Sequence, residues 1–333
     1  GKKGVTVMIY KKVKMIQEEI SAIGIGCWGF GGDWDTSERQ KSIDIIHAAI
    51  DMGINFFDVA PVYGWGVSET ILGEALKDGK RNHVMIASKA GLTWEKKFET
   101  KNDLSRANLF REIDESLKRL QTDYIDIYQM HWPDPNTPLE ETADALKELK
   151  KAGKIRYVGL SNFNQKDVER MMTMIEVNCQ QSLYNMLERN TDSYHSIPLD
   201  YRTESEVFPV VKKYGQAFLP YSPLFQGLLA GKFLDGHKFS EHDIRSANPK
   251  LAGPAFQTYM ETARKIKDFA DDIGRPMNEV SVNWLRQKDE VTSIIGGASS
   301  VGQLEKNIHA LTWELDEEML SRLNEIIAPL EFV

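Results

Sequence analysis

Within residues 55–69, NFFDVAPVYGWGVSE, an apolar run ends in one carboxylate, Asp58, and a lone tyrosine, Tyr63, follows five residues later. A loop that only had to turn needs neither. Two further apolar runs end in ionisable groups: Lys89 in IASKAG and His131 in YQMHWPDP. Each has a plain alternative reading: Asp58 as a cap, Lys89 as a solvated cation, His131 as a structural residue. Together they have one chemical sense. A free phenol, with a pKa of about 10, is a poor acid at neutral pH. A nearby ammonium favours the phenolate and eases proton transfer. A carboxylate would hold that ammonium in place and keep it charged, and a histidine could orient a carbonyl oxygen toward the tyrosine. Such a group protonates an oxygen that becomes negative when its carbon accepts a hydride.

The elements that must bring these residues together are legible as alternation. Short runs rich in Val and Ile predict strands at 22–27, 54–59, 83–88, 124–130, 155–161, 177–182, 216–222 and 291–297. Amphipathic stretches such as ERQKSIDIIHAAIDMG and LFREIDESLKRLQ lie between them and predict helices. Gly53 and Gly153 mark helix ends, and Ser37 with Gln40 fits a capping box. Near-continuous apolar strands, each followed by a helix, predict a parallel sheet covered by helices. Eight such units in this length predict an α/β fold of the (β/α)8 TIM-barrel type. A strand pair near 6–16 would cap the barrel bottom, and 314–329 reads as an extra C-terminal helix. The stretches 184–204 and 223–256 exceed ordinary connections and are candidate lids. With no Pro/Gly/Ser-rich linker, residues 8–333 read as one barrel domain, and 1–7 as a leader or tag. In a barrel of this type chemistry sits where the strands end, which is where Asp58, Lys89 and His131 fall.

Composition removes several alternatives. The 333 residues carry 41 Lys+Arg against 49 Asp+Glu, a net charge of −8, which argues against a nucleic-acid partner. Lys2, Lys3, Lys11, Lys12 and Lys14 cluster near the start and read as an exposed hairpin or tag. No window approaches the roughly 18 apolar residues of a membrane span. Cys27 and Cys179 are the only cysteines, lack CxxC spacing, and suggest a reducing, cytoplasmic setting. His237 and His242 have no third ligand nearby, so no metal is expected. GIGCWG (24–29) matches GxGxxG, but helical periodicity begins only near Ser37, too late for a glycine turn that opens a helix. GLLAGKF (227–233) is one residue short of a P-loop. A Schiff-base role for Lys89 conflicts with partners that keep it charged.

The stretches INFFDVAPVYGWGVSETILGEAL, ASKAG, LKRLQTDYIDIYQMHWPDP and GKIRYVGLSNF resemble the aldo-keto reductase superfamily. The resemblance is to the bacterial branch that also resembles potassium-channel beta subunits, and it extends from about Met8 to the C-terminus. It implies a catalytic tetrad of Asp58, Tyr63, Lys89 and His131, with Tyr63 as the proton donor, acting on small carbonyl or alcohol substrates. By the same resemblance Ser161, Asn162 and Gln181 would bind the nicotinamide carboxamide, and Tyr221 would stack on its ring. Ser222, Leu224, Gly227 and Lys232, in SPLFQGLLAGK, would serve the pyrophosphate. Gly297, Ser299, Gln303 and Asn307, in GGASSVGQLEKN, would surround the adenosine 2′-phosphate. Relatives commonly carry Arg or Lys where Ser299 and Ser300 stand, so NADP(H) is favoured with NAD(H) possible. Trp28, Trp65 and Trp132 read equally as a substrate wall or as a cover for the barrel mouth. A regulatory, cofactor-sensing subunit with slow turnover is the alternative function.

Overall fold

The computed structural model describes residues 7–30, 36–234, 245 and 248–333. Eight strands form one parallel sheet: β1 (Ile23–Gly26), β2 (Phe56–Asp58), β3 (Met85–Ala90), β4 (Ile125–Met130), β5 (Ile155–Ser161), β6 (Cys179–Leu183), β7 (Ala217–Tyr221) and β8 (Ile294–Gly296). All eight overlap the expected runs, though β3 extends two residues past its expected end and takes in Lys89 and Ala90. The sheet runs in sequence order from β1 to β7, with β8 beside β1. The Thr292 amide donates to the Phe218 carbonyl at 2.9 Å, joining the approach of β8 to β7 and closing the barrel.

Inside, period-two alternation decides what each residue faces. Phe56, Met85, Ala87, Ile127, Cys179, Ala217, Leu219 and Ile295 form one buried cluster within the barrel. Residues two positions further along the same strands are polar: Asp58, Lys89, Gln129 and Gln181. The barrel interior is therefore apolar below and polar at its mouth. The floor is closed by Ile16 and Ile20, which belong to the same inner cluster. Ile16 lies in the connection of, and Ile20 in the second strand of, an N-terminal strand pair that differs from expectation. Tyr10–Lys11 pairs antiparallel with Ile20–Ser21, so the second strand lies beyond residue 16 and directly before β1. That pairing leaves Ile16 and Ile20 fully buried against the inner cluster.

The helices lie outside the barrel: α1 (Thr36–Asp51), α2 (Val67–Ala75), α3 (Arg106–Leu120), α4 (Leu139–Lys151), α5 (Gln165–Met172), α6 (Phe208–Tyr214), α7 (Phe256–Asp272), α8 (Met277–Arg286), α9 (Val301–His309) and α10 (Glu317–Ile327). The last is the expected extra helix. Ser105 and Asp316 cap α3 and α10 by accepting backbone N–H groups of Asn108 and Met319. Ser37 does not cap α1, which already begins at Thr36, and Gln40 instead donates to Asp44 one turn on. Gly53 and Gly153 end their helices at φ +94° and +77°, a region that suits glycine. Gly73 permits the α2–α3 contact, since a Cβ there would lie 2.6 Å from the Arg119 carbonyl oxygen.

The expected lids differ in kind. Residues 184–191 are all buried, and the Lys250 ammonium joins them through Glu188 at 2.6 Å and Thr191 at 2.6 Å. That segment is a packed wall because its aromatic and apolar side chains pack into the core. The second stretch falls partly outside the described residues, as do residues 1–6, His237 and His242. No helix among the described residues is long and apolar enough to cross a membrane. None of their His, Cys, Asp and Glu side chains form a group that could hold a metal.

Candidate active site

Strand direction brings Asp58, Lys89, Gln129 and Gln181 into contact at the barrel mouth. The Lys89 ammonium is fully buried and has three protons to place. It donates to Asp58 Oδ2 at 2.7 Å, to the Tyr63 oxygen at 3.0 Å and to the Val59 carbonyl at 3.3 Å. The other carboxylate oxygen, Asp58 Oδ1, accepts from Gln129 Nε2 and Gln181 Nε2, both at 3.1 Å. Burial opposes the Lys89 charge, but Asp58 and Tyr63 together outweigh it and hold the ammonium above its ordinary range. Because Lys89 donates to the Tyr63 oxygen, the phenolic hydrogen is not spent on that contact.

Tyr63 reaches this position through a turn that suits few sequences. Gly64, Trp65 and Gly66 have φ of +59°, +56° and +97°. A tryptophan in the left-handed region carries strain of about 1–3 kcal/mol, of the sort that persists where surroundings over-determine it. Here Trp65 packs edge-on against Trp94 and Phe98, with ring centroids 5.4 and 5.1 Å away. The turn delivers Tyr63 back over Lys89 and starts α2.

The shift of Tyr63 runs opposite to expectation. Burial pushes its phenol above the ordinary value, and Lys89 offsets only part of that rise. The phenol is thus firmly protonated at neutral pH, as a proton donor should be. His131 stands edge-on to Tyr63, with ring centroids 6.2 Å apart. Burial, with Lys89 adding, holds its imidazolium form well below the usual range, so the ring is neutral. A neutral imidazole can donate one N–H to a substrate oxygen without competing for the proton.

The residues expected around a cofactor line the next strand ends. Ser161 ends β5, Asn162 follows it at φ +66°, and Tyr221 ends β7. Gln181 lies within β6 rather than at its end, with its amide nitrogen already on Asp58. After Tyr221 the chain coils tightly, with φ of +52° at Ser222, +51° at Phe225, +53° at Gln226 and +106° at Gly227. Within this coil the Leu224 carbonyl accepts the Gly227 amide at 3.1 Å, and Lys232 is exposed at its far end. Across the mouth, Gly296 has nothing within 4 Å of a would-be Cβ, and Gly297 only Trp28, so that backbone is open to a ligand. Ser300 caps α9, while Gln303 Oε1 accepts from the Ser299 amide and hydroxyl at 2.8 and 2.9 Å. Asn307 accepts from Asn278 at 3.3 Å on the inner side of the helix. A polar strand-end set beside Tyr63, a coil of positive-φ residues and the exposed N-terminal end of α9 fit an extended dinucleotide.

Of the tryptophans, Trp65 and Trp132 are partly buried and Trp28 is 59% exposed. Several participants have no local sequence signal: Gln129, Trp94 and Phe98. Gln129 was nonetheless within reach, because it lies two residues after inward Ile127 and pairs in register with Lys89.

GIGCWG is not a nucleotide fingerprint: Gly26 ends β1 and a single 3-10 turn, Cys27–Phe30, follows. GLLAGKF likewise crosses a 3-10 turn, Phe225–Ala230, and opens no helix among the described residues.

Known proteins share this arrangement over most of the chain. Residues 22–328 match the aldo/keto reductase family. Aldo-keto reductase YhdN of Bacillus subtilis is 36% identical over 96% of this chain and 94% of its own. The NADH-specific methylglyoxal reductase of Escherichia coli is 31% identical, covering 94% of this chain and 96% of its own. Among solved structures, the glycerol dehydrogenase AKR11B4 from Gluconobacter oxydans superposes with a TM-score of 0.85 at 32% identity, covering 96% of this chain and 95% of that one. Agreement of that length, carried on one barrel, makes the chain a member of the aldo/keto reductase family, an oxidoreductase that interconverts carbonyls and alcohols with a nicotinamide cofactor.

Proposed function

We propose that Tyr63 supplies the proton in carbonyl reduction, with Lys89 and Asp58 poising it and His131 orienting the substrate oxygen. The observation that carries this reading is the chain of contacts from Asp58 through Lys89 to the Tyr63 oxygen, at 2.7 and 3.0 Å. A nicotinamide held there would supply the hydride. Tyr63 gives up its proton as negative charge develops on the carbonyl oxygen, and Lys89 stabilises the tyrosinate left behind. Trp28, Trp65 and Trp132 border the space where a small aldehyde or ketone enters. Turnover of a panel of aldehydes by the purified protein tests the reading against the cofactor-sensing alternative; the complete Asp58–Lys89–Tyr63 chain favours turnover. The two buried, unpaired cysteines support a cytoplasmic setting, and the negative net charge gives no support for a nucleic-acid partner. Residues 8–333 constitute a single barrel domain on this reading.

The raised Tyr63 phenol sets the sign of the pH dependence. Reduction needs the protonated phenol, which is fully present at neutral pH, so its rate stays level there and falls only above the ordinary tyrosine range. Oxidation needs the tyrosinate and rises with pH over that same interval. His131, held neutral, adds no step near its usual value. Rates measured in both directions under chemistry-limited conditions check this; a common optimum would remove Tyr63 as the shared group.

For the cofactor, Ser161, Asn162, Gln181 and Tyr221 lie at the nicotinamide end. Ser222, Leu224, Gly227 and Lys232 lie along the pyrophosphate, and Gly297, Ser299, Gln303 and Asn307 at the adenosine end. NADP(H) is the favoured cofactor, with NAD(H) also used, as in the NADH-specific methylglyoxal relative. The exposed Ser299 offers a hydroxyl and a helix N-terminus to a 2′-phosphate but no cation. A charge-assisted hydrogen bond contributes about 1.5–3 kcal/mol, so Ser299→Arg should tighten NADPH binding roughly ten- to a hundredfold. NADH affinity should hardly move. Fluorescence-quenching titrations of both cofactors decide it, and no gain would relocate the phosphate toward Lys306 or Lys232.

A further inference from the structure

Tyr201 belongs to none of the groups assigned above, yet its ring is 2% exposed beside the barrel mouth. It stands on the segment that follows β6, which one bond ties to the strand end and Arg202 braces internally. Thr203 Oγ1 donates to the Leu183 carbonyl at 2.7 Å, and the Arg202 guanidinium donates to the carbonyls of Leu199 and Tyr201 at 3.1 and 2.8 Å. A π-turn, Thr203–Val207, then leads into α6. Turns of this type recur at functional sites.

The Tyr201 hydroxyl accepts from the Leu183 amide at 3.3 Å and donates to Asn162 Oδ1 at 2.7 Å. The same Asn162 oxygen accepts from the Tyr221 hydroxyl, also at 2.7 Å. An amide oxygen has two lone pairs, and both are taken. The two amide protons are also placed, on the His131 carbonyl and on Ser161 Oγ, each at 3.2 Å. Asn162 therefore places its whole hydrogen-bonding capacity on protein partners, and it would reach a nicotinamide carboxamide only by exchanging one of the two 3.2 Å amide contacts. Burial raises both phenols, Tyr201 to about 12 and Tyr221 well above its ordinary value, so both remain protonated donors. On its other side the Tyr221 ring meets Tyr194 edge-on, centroids 5.0 Å apart.

We infer that Tyr201 is a positioning residue for cofactor binding: through Asn162 it fixes the orientation of the Tyr221 ring and ties it to the strand end that carries His131. The inference rests on Tyr221 being the residue that meets the nicotinamide. Because the junction acts at the end common to both cofactors, its loss must weaken NADPH and NADH alike, unlike a change at Ser299.

The test is Tyr201→Phe, which keeps the ring and deletes the donor. Loss of one such hydrogen bond should raise the Kd of NADPH and of NADH by about three- to tenfold each, with aldehyde KM at saturating cofactor unchanged. A purely structural role would lower the melting temperature and leave both affinities alone; that result, or a loss confined to NADPH, overturns the inference. Tyr221→Leu separates it from the reading beneath it. If Tyr221→Leu weakens both cofactors and Tyr201→Phe does not, only the role of Tyr201 falls. If Tyr221→Leu itself changes neither affinity, the stacking assignment fails and the inference with it. In the Tyr221→Leu background Tyr201→Phe should cost little more, and a fully additive loss would show that it does not act through Tyr221.

Discussion

Replacing Tyr63 by Phe is expected to lower carbonyl turnover by about 10²–10⁴-fold, the usual worth of a positioned general acid. The substitution removes one oxygen and keeps the ring, so the turn through Gly64, Trp65 and Gly66 has no reason to move. Lys89 retains Asp58 and the Val59 carbonyl as acceptors, so the buried ion pair stays intact although one ammonium proton loses its acceptor. Ser161, Tyr221 and the coil from Ser222 are untouched, so cofactor affinity should stay close to wild type. The measurement is kcat at saturating cofactor beside a cofactor Kd from fluorescence. His131 is held neutral and stands edge-on to the ring, so it is a poor replacement acid. Near-normal reduction by the variant would refute the assignment.

Lys89→Met should be comparably damaging to turnover and, unlike the first, damaging to stability. Three consequences follow from one deletion. The Tyr63 oxygen loses its donor, and the cation that offsets the burial of the phenol disappears, so the phenol is driven further up. The developing tyrosinate loses its counter-charge. Asp58, 4% exposed, keeps only the amides of Gln129 and Gln181 on one oxygen. Breaking a buried ion pair by removing one partner typically costs about 3–5 kcal/mol, which denaturant unfolding can resolve. Asp58→Asn should hurt turnover less, because Lys89 still lies within reach of Tyr63 though less firmly placed. An Asp58 variant far slower than the Lys89 variant would reverse the division of roles between them.

Much of this was open to reading from sequence because it depends on neighbours close along the chain. The runs INFFDV, HVMIAS and YIDIYQM announce strands by their own composition, and Asp58, Lys89 and His131 are read simply as what stands where each run stops. Helix ends at Gly53 and Gly153 are equally local, since positive φ is a property of one residue. The capping box at Ser37 failed because propensity sets a helix start only within a residue or two. The motif order then sufficed for the family, as the match over residues 22–328 bears out.

What the tertiary structure decided is register and burial, which no local pattern carries. The N-terminal pairing of Tyr10 with Ser21 follows from where Ile16 and Ile20 can be buried, under strands far along the chain. The wall at 184–191 reads as a lid in sequence because its partner Lys250 lies about sixty residues away. The direction of the Tyr63 shift is the sharpest case. A nearby ammonium predicts a lowered phenol, but enclosure by the whole barrel mouth outweighs one charge 3.0 Å away. The types and order of the reacting groups belong to the sequence. Their protonation, their support by Gln129 and Gln181, and the junction at Tyr201 exist only once eight strands close, because desolvation and hydrogen-bond capacity belong to the enclosed volume and not to any segment of it.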